Sequence, residues 1–336
     1  MKKKSLLDQF LYVINSLLAT LLLLSYLLPL VSPNSIPIFA VLSLFVPILL
    51  LINLVFVIYW LIKLKKHFFL SVFILLIGYF TITPFYKMSL KNTTLNTDLK
   101  VMSYNVRMFN HWKWSKEENI KQKIFSLVEN NDPDVLVVQE NMALKKYEFS
   151  YPYKYINSKN KNSDFGMAIY SKFPIIKKGS LDLVNTSNNI IYIDIVRKKD
   201  TIRVYNLHLQ SFSISPEEEN FGRENSEKLL ATLKENFKKQ ANQTAKFLAH
   251  EQQWKGKKIV AGDFNNTAYS WVYNQISENK KDAFIEAGKG FGKTFKYLFP
   301  MRIDFILSDE NASINQFKSF SEKYSDHYPI FARINW

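Results

Sequence analysis

The sequence predicts an α/β domain, a pair of mixed β-sheets covered by helices, which follows an N-terminal membrane anchor. Three observations lead to this expectation. The 336 residues divide near Leu95 into an almost uncharged part and an ordinary globular part. In the globular part, predicted strands outnumber helices and do not alternate regularly with them, which disfavours a purely parallel sheet. This part is long enough for one large core and shows no internal repeat, so we expect a single domain there.

Charge separates the two parts. Residues 1–95 hold eight lysines or arginines and one acid, Asp8, whereas residues 96–336 hold 36 basic and 28 acidic residues. The whole chain has a net charge of +15 and 47% hydrophobic residues, a composition too apolar for a disordered tail. It contains no cysteine, which excludes disulfide bonds, thiol nucleophiles and cysteine-ligated metal sites.

Three uncharged runs near the N-terminus predict transmembrane helices, at about residues 10–30, 36–62 and 68–86. A helix of about 20 residues crosses the ~30 Å hydrocarbon layer of a bilayer. A cleaved signal peptide is the alternative for the first run, but that run is too long and no small-residue cleavage site follows it. We therefore expect residues 1–90 to be a membrane anchor with three helices and residues 91–98 to be a polar linker.

Basic residues predict the orientation of the anchor. Lys2, Lys3 and Lys4 precede the first run, and a second cluster, 63–66, lies between the second and third runs. Cytoplasmic loops of membrane proteins carry an excess of such residues. Three crossings would then place residues 99–336 on the periplasmic or extracytoplasmic side of a bacterial inner (cytoplasmic) membrane, as part of a multi-pass protein.

The elements of the second part follow from its apolar periodicity. Strands are predicted over residues 99–106, 134–139, 166–170, 190–196, 201–209, 258–262, 302–307 and 328–334, and helices over 116–130 and 224–254. The segment RKKD between two of the strands is typical of a hairpin. This pattern favours mixed sheets covered by helices.

Polar residues stand at or near the ends of these predicted strands. Each alone has an ordinary explanation, because aspartate and asparagine form turns and helix caps and a histidine can be a satisfied core residue. No turn rule requires the whole set, and side chains at strand ends can converge on one rim of a sheet. The set is Asn105, Glu140, His208, Asp263, Asn265, Asp304, Asp326 and His327.

The chemistry of this set predicts a metal-dependent hydrolase. Hard oxygen ligands, Glu140 foremost, suit Mg²⁺ or Mn²⁺ better than a structural zinc ion. Hydrolysis of a phosphoester requires neutralisation of the phosphoryl oxygens, an in-line water and stabilisation of the leaving oxygen. Carboxylates, amides and imidazoles can fill these three roles.

Six motifs occur in an order that resembles the endonuclease/exonuclease/phosphatase family, the superfamily of DNase I. They are SYNVRMFN, VVQEN, NLHLQS, GDFNN, RIDFIL and SDHYP, and the resemblance covers about Leu99 to Trp336. It implies the four-layer α/β sandwich of that family, with two mixed sheets packed face to face between helices. It also implies a phosphodiesterase, nuclease or phosphatase that uses Mg²⁺ (or Mn²⁺) and an activated water.

The resemblance further implies a role for each site residue. Asn105 and Glu140 would hold the metal ion, with Asp326 near it or at a second metal position. Asp263 would orient or deprotonate the attacking water, and Asn265 would bind the phosphoryl oxygens.

The remaining residues would act on the phosphate. His327, fixed by Asp304, would serve as the base or stabilise the charge of the transition state. His208 would hydrogen-bond the phosphate or aid the leaving group, and Arg107 resembles an arginine with which some nucleases contact phosphate.

Two questions stay open from the sequence. The phosphoester substrate could be a nucleic acid or a phospholipid headgroup, and no protein partner is implied beyond the bilayer itself. The alternative function is a non-catalytic, membrane-tethered binding or scaffold protein on the same fold. A segment that nearly matches a phosphate-binding P-loop, AGKGFGKT at 287–294, lacks the first glycine and a preceding strand, so we expect an ordinary loop there.

Overall fold

The N-terminal residues form a helical bundle in the computed structural model. The structure describes residues 6–88, 91–142, 148–158, 165–212, 223–297 and 299–336; Lys2, Lys3 and Lys4, on which part of the orientation prediction depends, lie outside these ranges. The helices of the bundle are α1 (Leu6–Ser25), α2 (Pro37–Ser43), α3 (Val46–Ile62) and α4 (Phe68–Thr81), with a 3-10 turn at Leu28–Leu30.

The prediction of three helices that each span a membrane is wrong in number. By length and composition, one segment of the described residues qualifies, Leu6–Leu30, and α2 with α3 qualifies as a second only if the pair, bent by 49°, is one span. The bend lies just before Pro47, which lacks the amide hydrogen that would continue the preceding turn. Helix α4 has 14 residues, about 21 Å of helix, which is shorter than the ~30 Å hydrocarbon layer. It ends early because Ile82 is extended and Pro84 follows.

Neutral polar side chains join α1, α3 and α4 inside the bundle. Asn15 Nδ2 donates to Ser71 Oγ at 2.7 Å, and Ser71 Oγ donates to Asn53 Oδ1 at 3.0 Å. Trp60 Nε1 donates to Asn15 Oδ1 at 2.9 Å. All four residues are fully buried. Hydrogen bonds between helices are a recognised means of holding apolar helices together. We call Asn15, Asn53, Trp60 and Ser71 the bundle network.

Two six-stranded mixed sheets follow. The first contains β2 (Leu99–Asn105), β3 (Val135–Met142), β4 (Tyr153–Ser158), β5 (Phe165–Ser171), β13 (Ser313–Ser319) and β14 (Ile330–Asn335), in the order β13-β14-β2-β3-β5-β4. The second contains β6 (Ile175–Ser180), β7 (Asn189–Arg197), β8 (Asp200–His208), β9 (Lys257–Asp263), β10 (Lys280–Asp282) and β12 (Asp304–Asp309), in the order β10-β12-β9-β8-β7-β6. A short pair, β1 (Lys87–Met88) with β11 (Lys289–Gly290), connects the end of the bundle to this domain.

Helices cover the outer faces of the two sheets. Successive side chains of a strand point to opposite faces, so Val135 and Val137 of β3 pack between the sheets while Leu136 and Val138 face α5 (Ile120–Asn131). The second sheet is covered by α6 (Arg223–Glu251) and α7 (Trp271–Ser277), and the short α8 (Ala283–Ala287) precedes β11. Since both faces of the central strands are buried, their sequences read as continuous apolar runs. The predicted pair of mixed sheets with covering helices is confirmed.

Candidate active site

Strand topology brings the polar residues to one rim of the sandwich. Asn105 and Glu140 belong to the parallel neighbours β2 and β3, and His208 and Asp263 end the parallel neighbours β8 and β9. The carboxyl ends of parallel neighbours lie at the same edge of a sheet. Strand β12 is antiparallel to β9 and begins at Asp304, which is paired with Asp263. The start of β12 therefore lies at the same rim as the carboxyl ends of β2, β3, β8 and β9.

Side chains from the two sheets contact each other directly at this rim. Asn105 Nδ2 donates to Glu140 Oε1 at 3.2 Å and to Asp263 Oδ2 at 3.1 Å. His208 Nε2 lies 3.9 Å from Glu140 Oε1 and 3.7 Å from Asp263 Oδ2. These four residues surround one small space between the sheets.

His327 completes the rim next to Asp263. Its Nδ1 hydrogen-bonds to Asp304 Oδ2 at 3.0 Å, and its Nε2 lies 3.6 Å from Asp263 Oδ2. The ring of Phe295 packs against the imidazole with centroids 4.9 Å apart. The two carboxylates and the imidazole are buried, and their potential ligand atoms lie within 4.8 Å of one another.

Asn265 holds the other side of the Asp263 carboxylate. Its backbone N–H donates to Asp263 Oδ1 at 2.8 Å. Its Nδ2 donates to Asp263 Oδ2 at 3.2 Å and to the carbonyl of Leu209 at 2.9 Å. Because both amide hydrogens have partners, the geometry favours a positioning role for Asn265 over the predicted contact with phosphoryl oxygens.

Asp326 and Arg107 form an ion pair beside the metal-binding candidates. Arg107 Nη1 lies 3.1 Å from Asp326 Oδ2, and the Arg107 guanidinium also lies 4.9 Å from the centroid of the Trp114 ring. The Arg107 backbone N–H donates to Asn105 Oδ1 at 3.1 Å. The structure thus brings together every residue of the predicted site.

The backbone is strained at several of these positions. Arg107, Glu140 and Asn265 have φ angles of +40°, +47° and +47°, in the left-handed region that residues with a side chain rarely adopt. Such conformations cost about 1–3 kcal/mol each and cluster at functional sites. At Glu140 the distortion coincides with a shift of register against β5, between Val138 and Asn141. Bulges of this kind re-aim side chains next to active sites.

The glycine of the motif GDFNN lets β9 approach β8. Gly262 has a φ of +139°, and a Cβ atom there would collide with the backbone carbonyl of Leu207. Any side chain at this position would displace β9, and Asp263 would move away from His208.

Burial and neighbouring charges shift the pKa values of Asp263, His327 and His208 in different directions. Burial raises the pKa of Asp263 to about 7, with His327 opposing and Asp304 adding to the rise. Burial alone would lower the pKa of His327, but the carboxylates of Asp304 and Asp263 hold it well above its usual value. Burial, with a contribution from His327, lowers the pKa of His208 to about 3. At neutral pH, His327 is therefore a cation and His208 is neutral.

Three oxygen-bearing side chains at the rim have the donor chemistry that a divalent cation requires. Burial and the charge of Asp326 raise the pKa of Glu140, while His327 and the Asn105 amide lower it. A divalent cation near these groups would relieve the repulsion between the two carboxylates, and the set of Asn105, Glu140 and Asp326 is the hard oxygen type that Mg²⁺ accepts. The group of Asp263, Asp304 and His327 also offers ligand atoms, but the hydrogen bond between His327 and Asp304 already accounts for its geometry.

Among the rim imidazoles of the described residues, His208 has a fully buried nitrogen that is unsatisfied. Its Nε2 atom is buried and has no hydrogen-bond partner. Buried polar atoms in native proteins are nearly always paired, so an unpaired one calls for an explanation such as a ligand. A hydrogen-bond acceptor of a bound substrate against His208 Nε2 would satisfy it.

Three residues that the sequence pattern did not indicate also position the site. Ser325 Oγ donates to the carbonyl of Asn105 at 2.8 Å and accepts the His327 N–H at 3.2 Å. Thr294 Oγ1 accepts the N–H of Asp304 at 3.1 Å. Gln240 Nε2, from α6, donates to the carbonyl of Asn265 at 2.8 Å. Ser325 and Thr294 lie in segments whose motifs were noted, whereas nothing in the charged pattern of α6 distinguishes Gln240.

Comparison with known families gives two matches. Residues 102–327 match the Endonuclease/Exonuclease/phosphatase family, and residues 8–85 match a domain of unknown function (DUF8431). No curated protein matches the chain significantly.

Solved structures share the fold at low sequence identity. A mannosyl-6-phosphatase of Bacteroides thetaiotaomicron is 17% identical, with a TM-score of 0.52, over 71% of this chain and 100% of that one. The human Nocturnin catalytic domain is 16% identical, with a TM-score of 0.52, over 72% of this chain and 96% of that one. Humanized D. rerio TDP2 is 15% identical, with a TM-score of 0.53, over 72% of this chain and 100% of that one. At these identities the similarity establishes the fold alone.

Proposed function

The chain belongs to the endonuclease/exonuclease/phosphatase family, and from this premise we propose that it is a membrane-anchored, metal-dependent phosphoesterase. One observation carries the proposal: carboxylates, amides and two imidazoles from separate strands enclose a small space in which His208 Nε2 has no partner. The reaction we assign is hydrolysis of a phosphodiester or phosphomonoester by in-line attack of a water molecule.

Asp263 is the residue that orients and deprotonates the water. Its pKa of about 7 is close to the working pH, which favours a general base. Asn105 and Asn265 donate hydrogen bonds to the same carboxylate and fix its orientation. The attacking oxygen then stands in the space that faces His208.

The two histidines stabilise the phosphate in different ways. His327, held by Asp304, keeps a positive charge beside the reacting group and opposes the negative charge that develops there. His208 is neutral and donates a hydrogen bond from Nε2 to a phosphoryl oxygen. Arg107 lies at the rim, where a pairing with phosphate would replace its pairing with Asp326.

Asn105, Glu140 and Asp326 are the residues that would hold Mg²⁺ or Mn²⁺. When bound, such an ion neutralises phosphoryl charge and acts as a Lewis acid. The protein's contribution is to present these oxygen ligands and to keep the side chain of Glu140 accessible, at 30% exposure.

We also propose that residues 1–90 anchor the domain 99–336 in the inner membrane, with 91–98 as the linker. Large apolar residues such as Leu6, Leu17 and Phe80 are exposed on the bundle, as expected for helices that face lipid. Contacts with the domain involve the turn after α1 and the end of α4, for example Asn34 with Asn242 and Thr83 with Ala268.

Hydrolysis by the purified full-length chain in detergent tests the proposed function. The substrates are p-nitrophenyl phosphate, bis(p-nitrophenyl) phosphate, DNA, RNA and phospholipid vesicles, each with Mg²⁺ or Mn²⁺. Wild type should hydrolyse at least one, and Asp263→Asn should reduce the rate by about 10²–10⁴-fold, the usual contribution of a general base. His327→Gln is the second variant, should the first not fold.

Asp200→Asn is the matched control. Asp200 begins β8, at the opposite end of that strand from His208, and pairs with Lys257 on the surface. Its rate should equal that of wild type. Absence of hydrolysis of every substrate with either ion would favour the scaffold alternative.

A further inference from the structure

The helical bundle packs against the segments that carry the site residues. Ala268 stands three residues after Asn265, and its carbonyl accepts a hydrogen bond from Thr83 Oγ1 at 3.1 Å. The next residue, Tyr269, is buried in the apolar cluster of the bundle. The loop that follows the proposed base, Asp263, therefore contacts the helical bundle.

Two further segments that carry site residues also contact the bundle. Phe295 packs on His327, and four residues earlier Phe291 packs on Phe85 and Tyr86 at the end of the bundle, with centroids 5.0 and 4.9 Å apart. The chain that leaves β8 after His208 places Phe212 in an apolar cluster with α2. Three site-bearing segments from separate parts of the domain thus contact the bundle, so the bundle lies beside the rim of the site.

An apolar crevice opens at this junction. Its volume is about 610 Å³, within the ~300–1,000 Å³ typical of ligand sites. Residues of α1 and its 3-10 turn, of α4 and of the domain line it, among them Leu24, Leu27, Leu30, Ile77, Thr81 and Ala268. Among the described residues, no charged side chain lines the crevice.

The crevice continues the lipid-facing surface of the bundle. Leu24, Leu27 and Leu30 line it, and they are 56%, 56% and 68% exposed. Burial of exposed apolar surface is favourable, and a polyanionic nucleic acid would find no cation along this wall. A hydrocarbon chain that enters from the bilayer is the occupant that suits the lining.

We infer that the substrate is a membrane lipid that bears a phosphoester headgroup, with its hydrocarbon chain in the crevice and its headgroup at the rim. This inference rests on the proposed function and narrows its substrate class. Ala268 lines the crevice three residues after Asn265, so the chain and the headgroup of one lipid molecule reach the same loop. The bundle then contributes to the selection of the substrate and also holds the catalytic domain at the membrane.

The test compares matched lipid and soluble esters with the full-length protein in nanodiscs. The pairs are dioleoyl phosphatidic acid with glycerol phosphate, and dioleoyl phosphatidylinositol with glycerophosphoinositol; p-nitrophenyl esters report whether the site hydrolyses phosphoesters at all. Leu27→Trp and Thr81→Trp fill the crevice. Each should lower the ratio of lipid to soluble-ester turnover by about tenfold or more, the size of effect that small changes in an apolar pocket produce.

Leu17→Trp is the matched control, since Leu17 lies on α1 with 62% exposure and does not line the crevice. Its ratio should stay at the wild-type value. Equal hydrolysis of lipid and soluble members, or hydrolysis of nucleic acid alone, would overturn the inference while the proposed function stands.

Binding decides the inference independently of turnover. Native mass spectrometry of the detergent-solubilised chain with dioleoyl phosphatidic acid should show one bound lipid for wild type and Leu17→Trp, and little for Leu27→Trp. Failure of all hydrolysis would refute the proposed function. Lipid binding that is equally weak in wild type and Leu27→Trp would refute the inference that a lipid chain occupies the crevice.

Discussion

Two of the buried polar clusters in the described residues have opposite character. In the bundle network, Asn15, Asn53, Trp60 and Ser71 are neutral, and the hydrogen bonds among them join three helices. At the rim of the sandwich, the cluster is charged, includes strained backbone at Glu140 and Asn265, and leaves His208 Nε2 without a partner. Satisfied neutral groups stabilise a fold, whereas concentrated charge with an open position is costly to the fold and useful for chemistry.

The first way to break this comparison is to remove divalent cations. With EDTA, phosphoester hydrolysis should fall to background, because Arg107, which pairs with Asp326, and His327 supply too little positive charge for both carboxylates and the substrate phosphate. Addition of excess Mg²⁺ should restore it. Full activity in EDTA would show that the oxygen ligands at the rim have no role in metal binding.

The second way is to disturb the histidine pair. Asp304→Asn removes the carboxylate that holds His327 Nδ1 and helps to keep the imidazole charged. We expect kcat to fall by about 10²-fold or more, within the range for a misdirected acid–base residue. Kinetics of Asp304→Asn beside Asp309→Asn, which lies at the other end of β12, would check this. A rate equal to wild type would contradict the role of the pair.

A third experiment addresses the bundle. Asn15→Leu removes two hydrogen bonds, to Ser71 and from Trp60, and leaves their polar atoms buried. The free energy of unfolding should fall by about 1–2 kcal/mol, the range for hydrogen bonds between membrane helices. Turnover of a soluble ester should be unchanged. Thermal unfolding in detergent, with Leu17→Ala as the exposed control, measures the effect; a loss of turnover without a loss of stability would reverse the comparison.

The smallest expected effect is a gain of stability at the rim. Glu140→Gln keeps an oxygen acceptor for Asn105 but removes the charge that Asp326 opposes. In metal-free buffer the free energy of unfolding of the variant should exceed that of wild type by about 0.5–1 kcal/mol. Substitutions that remove charge repulsion from a functional site often stabilise a protein in this way. Denaturation in EDTA would show it. A loss of stability would mean that the Glu140 charge is structural.

Much of this site could be predicted from the sequence because its residues end or begin central strands. Asp263 and His208 follow apolar runs that are buried on both faces, and such runs are easy to recognise. Besides the short pair of β1 and β11, the strands that the periodicity did not reveal are β4, β6, β10 and β13, which are the edges of the two six-stranded sheets. Edge strands are half-exposed and polar, as in the segment IIKKGS of β6, so they lack that signal.

Other features depend on geometry that no local pattern encodes. The left-handed backbone at Glu140 falls on a non-glycine residue, and Gln240 reaches Asn265 from a helix with no motif. The count of spanning helices was wrong because an uncharged run does not show how far a straight helix extends: α2 and α3 are bent by 49°, and α4 ends at Thr81. Contact between the bundle and the site joins residues about two hundred positions apart, beyond the reach of periodicity.

Turnover of Glu140→Gln with excess Mg²⁺ tests the central claim most directly. If the charged rim is the catalytic centre, removal of this one charge should lower phosphoester hydrolysis by about 10- to 100-fold, in a chain that is folded and no less stable than wild type. Wild-type turnover by that folded variant would contradict the assignment of the rim as a metal-dependent phosphoesterase site.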